Sequence, residues 1–368
     1  MRRKSFDEVF EDKTKYGTKV KTDEYHQSGK HLIIDQGQHQ VAGYTDLEQG
    51  LFKNVPAIIF GDHTRVIKYV DEPFFLGADG VKVLRSKYEQ ANYKYLYYAL
   101  KNVRIPNTGY NRHFKWLKET LIYYPDAEQQ EEIVRILDGI TEVINKRQQQ
   151  LSILDDLIKA RFVEMFGNPV LNDRGWPDKL LVEITTKIGS GATPKGGKGT
   201  YQDEGITLIR SMNVHNGQFE YKDLAHISDE QAAKLDGVTV EEKDVLLNIT
   251  GASVARCCVV PDEILPARVN QHVCIVRCKD YVSPEFLNYL LIDDNYQSLL
   301  WSIAGSGATR EAITKQQVEN LHIILPPAEL QTEFMTFVAQ VDKSKIVVQK
   351  ALDEAQVLFD SLMQQYFG

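Results

Sequence analysis

The cysteines and histidines of this chain of 368 residues match no metal-binding or catalytic motif in their spacing. Cys257, Cys258, Cys274 and Cys278 lack the paired Cys-x2-Cys spacing of zinc sites, and the last two fall on a predicted strand. The nine histidines form neither a His-x3-His nor a His-Glu-x2-His cluster. We expect buried thiols, no metal site and no cofactor held by this chain.

Two short segments resemble catalytic motifs only superficially. Residues 191–198, GATPKGGK, lack the Gly-x4-Gly-Lys-Ser/Thr register of a phosphate-binding loop, and no apolar helical segment follows them. Asn168-Pro169-Val170 does not replace the Asn/Asp-Pro-Pro-aromatic motif of DNA amino-methyltransferases. These two segments therefore predict neither a phosphate-binding loop nor DNA amino-methyltransferase chemistry in this chain.

Composition places the chain among folded, soluble proteins, since 43% of its residues are hydrophobic and 26% are charged. It has no run of about 18 uncharged apolar residues of the kind that spans a membrane. The basic start leads into Asp7 and Glu8 instead of the apolar stretch of a secretory signal. Four cysteines make no disulfide framework and fit a reducing compartment. We expect a cytoplasmic protein.

The chain contains an internal repeat. Residues 117–167 align without a gap on residues 318–368, at a constant offset of 201. Each copy carries a Pro-x-Ala-Glu phrase, beginning at Pro125 and Pro326, and each closes on Phe-Gly. Two copies so far apart predict a protein of two similar halves and not a solenoid.

Each copy predicts one long helix, over residues 125–167 and 326–368. At 1.5 Å per residue, such a helix is about 55–60 Å long. Neither helix can bury its own apolar stripe, so we expect the two to pack as an antiparallel coiled coil related by a pseudo-two-fold axis. Alternating steps of four and three residues select the apolar members of this seam: Ile133, Leu137, Ile140, Ile144, Leu151, Leu154, Ile158, Phe334, Val338, Val341, Val348, Leu352, Phe359 and Leu362.

The two remaining blocks, 1–124 and 168–325, show similar features in the same order. Each has three apolar strand-like runs, then a helix-like run, then a Gly-containing turn that leads to a last strand. The sequence predicts the α+β class: two similar globular domains, 1–124 and 168–325, separated by helices 125–167 and 326–368. Net charge is +5 over residues 1–116 and −5 over residues 168–317, so any DNA affinity must come from localised basic patches or from a partner. The strand-like runs are 31–35, 55–60 and 80–84 in the first block and 206–210, 244–249 and 272–276 in the second, and the helix-like runs are 93–100 and 286–291.

This organisation resembles the specificity subunits of type I restriction-modification systems, and the resemblance covers essentially the whole chain. It departs from the family pattern in a compact first domain, an acidic second domain, and Leu330 where the first copy has Gln129. The residues that carry it are Tyr124-Pro125-Asp126-Ala127-Glu128-Gln129-Gln130, Leu325-Pro326-Pro327-Ala328-Glu329-Leu330-Gln331, and Phe166-Gly167-Asn168-Pro169 followed by Gly175-Trp176-Pro177.

The resemblance implies that each block is a target-recognition domain reading one half of a bipartite double-stranded DNA site. The helices would serve as a spacer and as the docking surface for two methyltransferase subunits, which would use S-adenosylmethionine and reach a flipped adenine. Nuclease/translocase subunits would join for cleavage. The chain itself would be a non-catalytic subunit without a cofactor.

Polar and basic residues of the loops between strands are the expected base and phosphate contacts. Two loops support each other, because residues 61–65 and 251–256 both begin with Gly and end in Arg. The candidates are Lys15, Lys19, Gln36, Gln38, His63, Arg65, Asn111 and Arg112 in the first block, and Lys195, Lys198, Arg210, Asn213, Ser253, Arg256, Asn270, Gln271 and Arg310 in the second.

Other interpretations remain open at this point. One is a coiled-coil scaffold whose two heads bind a protein or another ligand, with affinity insensitive to salt. A second is an unfamiliar hydrolase or transferase, although the sequence offers no nucleophile–base pair. A third, within the family, is a silent specificity subunit.

Overall fold

A computed structural model describes residues 3–77, 79–109, 111–194, 197–305 and 311–368, apart from the side chains of residues 198 and 200. The chain divides into two compact units. Unit 1 comprises Met1–Gln149 together with Val348–Gly368, and unit 2 comprises Gln150–Val347. Both mix helices with sheets, as the sequence predicts.

Among its described residues, the first block forms nine strands and three α-helices. The strands are β1 (Arg3–Ser5), β2 (Phe10–Asp12), β3 (His31–Ile34), β4 (Gly43–Thr45), β5 (Ala57–Gly61), β6 (Ile67–Val70), β7 (Phe74–Leu76), β8 (Val81–Ser86) and β9 (Leu121–Tyr123). The helices are α1 (Phe6–Val9), α2 (Tyr93–Lys101) and α3 (Phe114–Lys118), and the forty-residue helix α4 (Ala127–Phe166) follows.

The second block is longer than the first and has more strands among its described residues. Its strands are β10 (Asp178–Leu180), β11 (Thr185–Ser190), β12 (Ile206–Ile209), β13 (Val214–His215), β14 (Gln218–Phe219), β15 (Ala225–Ile227), β16 (Thr239–Val240), β17 (Val245–Asn248), β18 (Cys257–Val259), β19 (Ala267–Val269), β20 (Val273–Cys278) and β21 (His322–Ile324). Its helices are α5 (Asp229–Ala233), α6 (Pro284–Leu291), α7 (Asp294–Gly305) and α8 (Lys315–Glu319), followed by the forty-residue helix α9 (Ala328–Phe367).

The two units share three kinds of sheet, and unit 2 has the two-stranded sheet β13·β14 in addition. Each has a two-stranded antiparallel sheet next to the long helices, β1·β9 in unit 1 and β10·β21 in unit 2. Each has a four-stranded antiparallel sheet, ordered β2-β8-β5-β6 or β11-β20-β17-β18. Each also has a mixed sheet with one parallel pair, β3·β7 or β12·β19. The internal similarity inferred from the long helices therefore extends to the globular blocks.

Buried tyrosines fasten a helix to the last strand in both units. The Tyr95 hydroxyl on α2 donates to the carbonyl oxygen of Tyr123 at 2.7 Å. The Tyr296 hydroxyl on α7 donates to the carbonyl oxygen of His322 at 2.8 Å. Both rings are fully buried, so a hydrogen bond is needed to satisfy each hydroxyl group.

Both long helices begin with the same anchor. The side-chain amide of Gln130 donates to the carbonyl oxygen of Pro125, and that of Gln331 donates to Pro326, each at 2.9 Å. Both glutamines are buried. The helices start at Ala127 and Ala328, two residues later than the sequence predicts, because these prolines and the residues after them form the turn that the glutamine side chains close.

Apolar residues of the two long helices join the core of each unit. In unit 1, Ile133, Leu137 and Ile144 of α4 belong to the same cluster as Phe359 and Met363 of α9.

In unit 2, Ile158, Phe162 and Phe166 of α4 share a cluster with Phe334 and Val338 of α9. All fourteen residues of the predicted seam are buried or half-buried.

Helix α7 is absent from the sequence-based reading of the second block. Its first turn is capped by the Asp293 carboxylate, which accepts from the backbone N–H groups of Asn295 at 2.9 Å and Tyr296 at 3.3 Å. The helix buries Tyr296, Leu300 and Ala304 against the core. Burial of these three side chains stabilises a helix whose hydrophobic periodicity is too short to predict it from the sequence. Among the described residues, none of the helices has the length and apolar character required to cross a bilayer.

Phe334 packs against three aromatic rings in the core of unit 2. Its ring lies 5.5 Å from those of Phe162 and Phe166 and 5.3 Å from that of Tyr289, measured between centroids, and it is fully buried. We predict that Phe334→Ala lowers the free energy of unfolding by about 3–5 kcal/mol, because it removes these contacts and leaves a cavity. Urea unfolding followed by tryptophan fluorescence measures the change.

Ile346→Ala is the matched control on the same helix and in the same unit. Its side chain is 69% exposed, so the unfolding free energy should change by less than about 0.5 kcal/mol. Equal effects of the two substitutions would contradict the packing described for Phe334.

Candidate nucleic-acid interface

In unit 1, a buried aspartate joins two loops that are fifty residues apart in sequence. The Asp62 carboxylate accepts from the backbone N–H of Phe114 at 2.7 Å, and its carbonyl oxygen accepts from the backbone N–H of His113 at 2.7 Å. The same carbonyl lies 3.0 Å from Nδ1 of His113, which must therefore be the donor. These bonds hold the loop that carries His63 and Arg65 against the segment that carries Arg112.

Gln36 adds a third segment to this surface. Its Oε1 accepts from the backbone N–H of His63 at 3.1 Å, and its Nε2 donates to the carbonyl oxygen of Asp79 at 2.9 Å. The Asp79 carboxylate forms an ion pair with Lys19, which lowers its pKa, and the charge of Arg112 lowers it further. Four predicted residues, Lys19, Gln36, His63 and Arg112, thus converge on one part of unit 1.

The other predicted residues of unit 1 lie nearby or stand alone on the surface. Arg65 and Gln38 line a cleft of about 430 Å³, and Arg65 donates to the carbonyl oxygen of Ile105 at 3.3 Å. Asn111 is exposed, and its amide donates to the carbonyl oxygen of Thr108. Lys15 is exposed, with its ammonium 4.9 Å from the centroid of its neighbour Tyr16.

Unit 2 repeats this docking of one loop on another. The backbone N–H of Gly251 donates to the carbonyl oxygen of Glu311 at 2.9 Å, and Thr250 forms a β-bridge with Ala312. The loop 251–256 therefore lies against residues 311–312, as the loop 61–65 lies against residues 113–114 in unit 1. The correspondence between these loops, inferred from Gly and Arg at their ends, agrees with their similar positions.

A cleft of about 540 Å³ opens beside this loop in unit 2. Ser253 and Arg256 line it together with Met212 and His272. Nη1 of Arg256 lies 3.5 Å from Nδ1 of His215. The cleft therefore combines a guanidinium group with hydroxyl and imidazole groups, which are the side-chain types that contact phosphates and base edges.

Two predicted asparagines of unit 2 are buried and hold loops in place. Asn213 has no exposed surface, and its amide donates to the carbonyl oxygens of Glu220 at 3.0 Å and Lys222 at 3.3 Å. Asn270 is 6% exposed, and its Oδ1 accepts from the backbone N–H of His272 at 3.0 Å. We therefore assign both side chains to shaping the surface, because buried amides already engaged with the backbone have no surface to offer DNA.

The remaining predictions in unit 2 differ in what the structure describes. Gln271 is exposed and lies next to the cleft through its contact with His272. Arg210 is half-buried, and its guanidinium donates to the carbonyl oxygen of Asp223. Lys195, Arg310 and the side chain of Lys198 lie outside the described residues.

Sequence reasoning missed three polar residues of these surfaces. His215 and His272 face the Arg256 region of unit 2, and the position of His272 directly after Asn270 and Gln271 was a usable signal. In unit 1, Lys68 is 3% exposed and donates to the carbonyl oxygen of His39 at 2.6 Å. No local pattern distinguishes Lys68, because it occupies a buried position of strand β6 that an apolar residue would normally fill.

The four cysteines are thiols of the unit 2 core. Burial raises the pKa of Cys258, Cys274 and Cys278 to about 12 and raises that of Cys257 as well. Within the described ranges, no three His, Cys, Asp or Glu side chains come together in a way that would hold a metal ion.

Comparison with known proteins identifies the family. The model of the type I restriction modification DNA specificity domain matches residues 2–153 and 174–355, so that it covers both halves of the internal repeat. The chain belongs to this family. The resemblance drawn from the two Pro-x-Ala-Glu phrases is thereby confirmed.

Individual relatives carry the same family name. The MjaIX specificity subunit of a type I restriction enzyme from Methanocaldococcus jannaschii is 25% identical over 67% of this chain and 60% of its own length. The EcoR124I/EcoR124II specificity subunit from Escherichia coli is 22% identical over 90% of this chain and 84% of its own length. The chain thus spans less than two thirds of the first of these members of the specificity-domain family.

Solved structures of the specificity-domain family share this fold. The S subunit of the type I restriction-modification system from M. genitalium covers the whole chain with a TM-score of 0.56 and 16% identity, and 96% of that structure is matched. A structure described as showing complex assembly and conformational transition of the type I R-M system gives a TM-score of 0.57 and 19% identity, with 97% of that structure matched. At such identities the likeness concerns the fold.

We predict that the four thiols are inert in the folded chain. Because burial holds their pKa values far above 8, almost no thiolate is present at that pH, and thiolate is the reactive form. Titration with a chromogenic disulfide reagent at pH 8 should show little reaction within minutes, then four equivalents after unfolding in urea. Rapid reaction of two or more thiols without denaturant would contradict their placement in the core.

Proposed function

We propose that this chain is the DNA-sequence specificity subunit of a type I restriction-modification complex. One observation carries the proposal: a specificity-domain match falls on each half of the chain, and each half brings polar loops together on a globular unit. Two different recognition domains on one chain suit a bipartite DNA site with two different half-sites. In this proposal each unit reads one half-site through base edges in the major groove.

The finer architecture belongs to the same proposal: helices 125–167 and 326–368 form an antiparallel coiled coil between recognition domains 1–124 and 168–325, with pseudo-two-fold symmetry. Contacts inside unit 2 support it, since Arg161 pairs with Glu333 and Asp155 with Lys345. Between these two ion pairs the residue number rises along α4 and falls along α9, as expected for antiparallel helices. Such a rod would set the number of unread base pairs between the half-sites, because a length of about 55 Å exceeds one DNA turn of about 34–36 Å.

The partners follow from this role. Two methyltransferase subunits would dock on the complex and use S-adenosylmethionine, and nuclease/translocase subunits would join for cleavage. The chain itself would be non-catalytic, hold no cofactor and act in the cytoplasm. The relatives named as type I specificity subunits support this assignment over a scaffold with protein-binding heads.

Mapping methylated adenines in the host genome, with and without this gene, tests the function directly. We expect one bipartite adenine-methylated motif in the parent strain and its loss in the deletion strain. Complementation with the gene on a plasmid should restore it. An unchanged methylation pattern would contradict the proposal and favour a silent subunit or the scaffold alternative.

A single arginine tests the interface of unit 2. We predict that Arg256→Ala weakens binding of the assembled methyltransferase complex to its specific duplex by about 1–3 kcal/mol, the worth of a good bidentate base contact. Lys179→Ala is the control, because Lys179 is an exposed cation on β10, away from the cleft. Competition binding at fixed salt measures both. Equal affinities of the two variants would remove Arg256 from the interface.

A further inference from the structure

Gln271 of unit 2 is an exposed side chain whose amide is held at both ends. Its Oε1 accepts a hydrogen bond from the Thr193 hydroxyl, and its Nε2 donates to Nε2 of His272 at 3.0 Å. Since Nε2 of His272 accepts, the ring proton lies on Nδ1, which donates to the hydroxyl of Thr250. These four side chains form one directed hydrogen-bond chain.

Backbone contacts place Thr193 beside Gln271. The N–H of Gly191 donates to the carbonyl oxygen of Asn270 at 3.1 Å. A Cβ atom on Gly191 would lie 1.8 Å from the carbonyl oxygen of Val269, so only glycine permits this approach. The strand that leads to Thr193 is therefore pressed against the segment 269–272, which places the Thr193 hydroxyl beside Gln271.

The hydrogen-bonding capacity left on Gln271 is specific. A glutamine amide has two N–H donors and two carbonyl lone pairs, and the contacts with Thr193 and His272 use one of each. One N–H and one lone pair remain, without a partner among the described residues. In the major groove, adenine offers one acceptor, N7, and one donor, the N6 amino group, which a glutamine amide can engage together. Guanine presents two acceptors there, cytosine a donor and thymine an acceptor.

We propose that Gln271 reads an adenine in the half-site of unit 2, and that Thr193 and His272 are positioning residues that fix the direction of its amide. This inference rests on the proposed function and adds to it the identity of one base. Arg256 lines the same cleft as His272. The adenine would therefore lie beside the Arg256 guanidinium, which is expected to contact a guanine or a phosphate.

The test is methylome mapping of host strains that carry Gln271→Ala or Gln271→Glu in place of the wild-type gene. We expect Gln271→Ala to relax one A·T position of one half-site, other than the methylated adenine itself. Discrimination at that position should fall by about 5- to 150-fold. Gln271→Glu should shift the preference there toward cytosine, because a carboxylate accepts from its N4 amino group. The other half-site should not change, and Lys179→Ala should leave the whole motif intact.

The positioning role has its own pair of variants. Thr193→Val removes the hydroxyl and should relax the same single position, whereas Thr193→Ser keeps the hydroxyl and should retain wild-type preference. His272→Ala should also relax that position. If Thr193→Val and His272→Ala leave it unchanged while Gln271→Ala relaxes it, the positioning part of the proposal is wrong.

Failure of the proposed function has a different result from failure of this inference. If wild type directs no bipartite motif, the proposed function itself fails. If the motif exists and the Gln271 variants leave every position unchanged, or weaken all positions evenly, Gln271 does not read a base. If Gln271→Ala relaxes a G·C position, the adenine assignment is wrong. Should a variant abolish methylation, competition binding by the purified complex, with duplexes substituted at each position, gives the same readout.

Discussion

The structure depends on a single constraint: two forty-residue helices carry apolar stripes that neither can bury on itself. In each unit, the stripes of α4 and α9 enter the core that also packs against the globular sheets. Because the stripes are long, the same two helices contribute to both units, and unit 1 combines Met1–Gln149 with the distant segment Val348–Gly368. The buried amides of Gln130 and Gln331 close the turn in front of each helix and so fix where the helix begins.

The candidate interface is organised by buried polar groups more than by the exposed ones. Asp62 and Asn213 have almost no surface, yet their hydrogen bonds determine where neighbouring loops lie. An unpaired polar group is costly to bury, so these contacts define one loop arrangement among many. The exposed Arg112 and the half-buried Arg256 are then presented from a rigid base, which the proposed base readout requires.

The family likeness combines a maintained fold with little shared sequence. Solved relatives match the whole chain at 16–19% identity with TM-scores of 0.56 and 0.57. The apolar cores of the sheets and the stripes of the long helices tolerate many residues of suitable size, since packing requires a given volume and pattern. Exposed loop side chains are under no such restraint, so under the proposed function a change like Gln271→Glu would alter the base that is read without altering the core. This division suits a protein whose function is to distinguish sequences.

The sequence by itself determined the repeat, the two long helices, the positions of the principal strands and the family, because hydrophobic spacing and short motifs can be recognised without knowledge of distant contacts. It also pointed to the loops 61–65 and 251–256 through their matching ends. Only the tertiary structure decided that Asn213 and Asn270 are buried, that α7 is a helix, and that Thr193, Gln271 and His272 form one hydrogen-bond chain. The physical reason is that burial and hydrogen-bond partners depend on residues far apart in sequence. Thr193 and Gln271 are brought together only where the backbone of Gly191 lies against Val269.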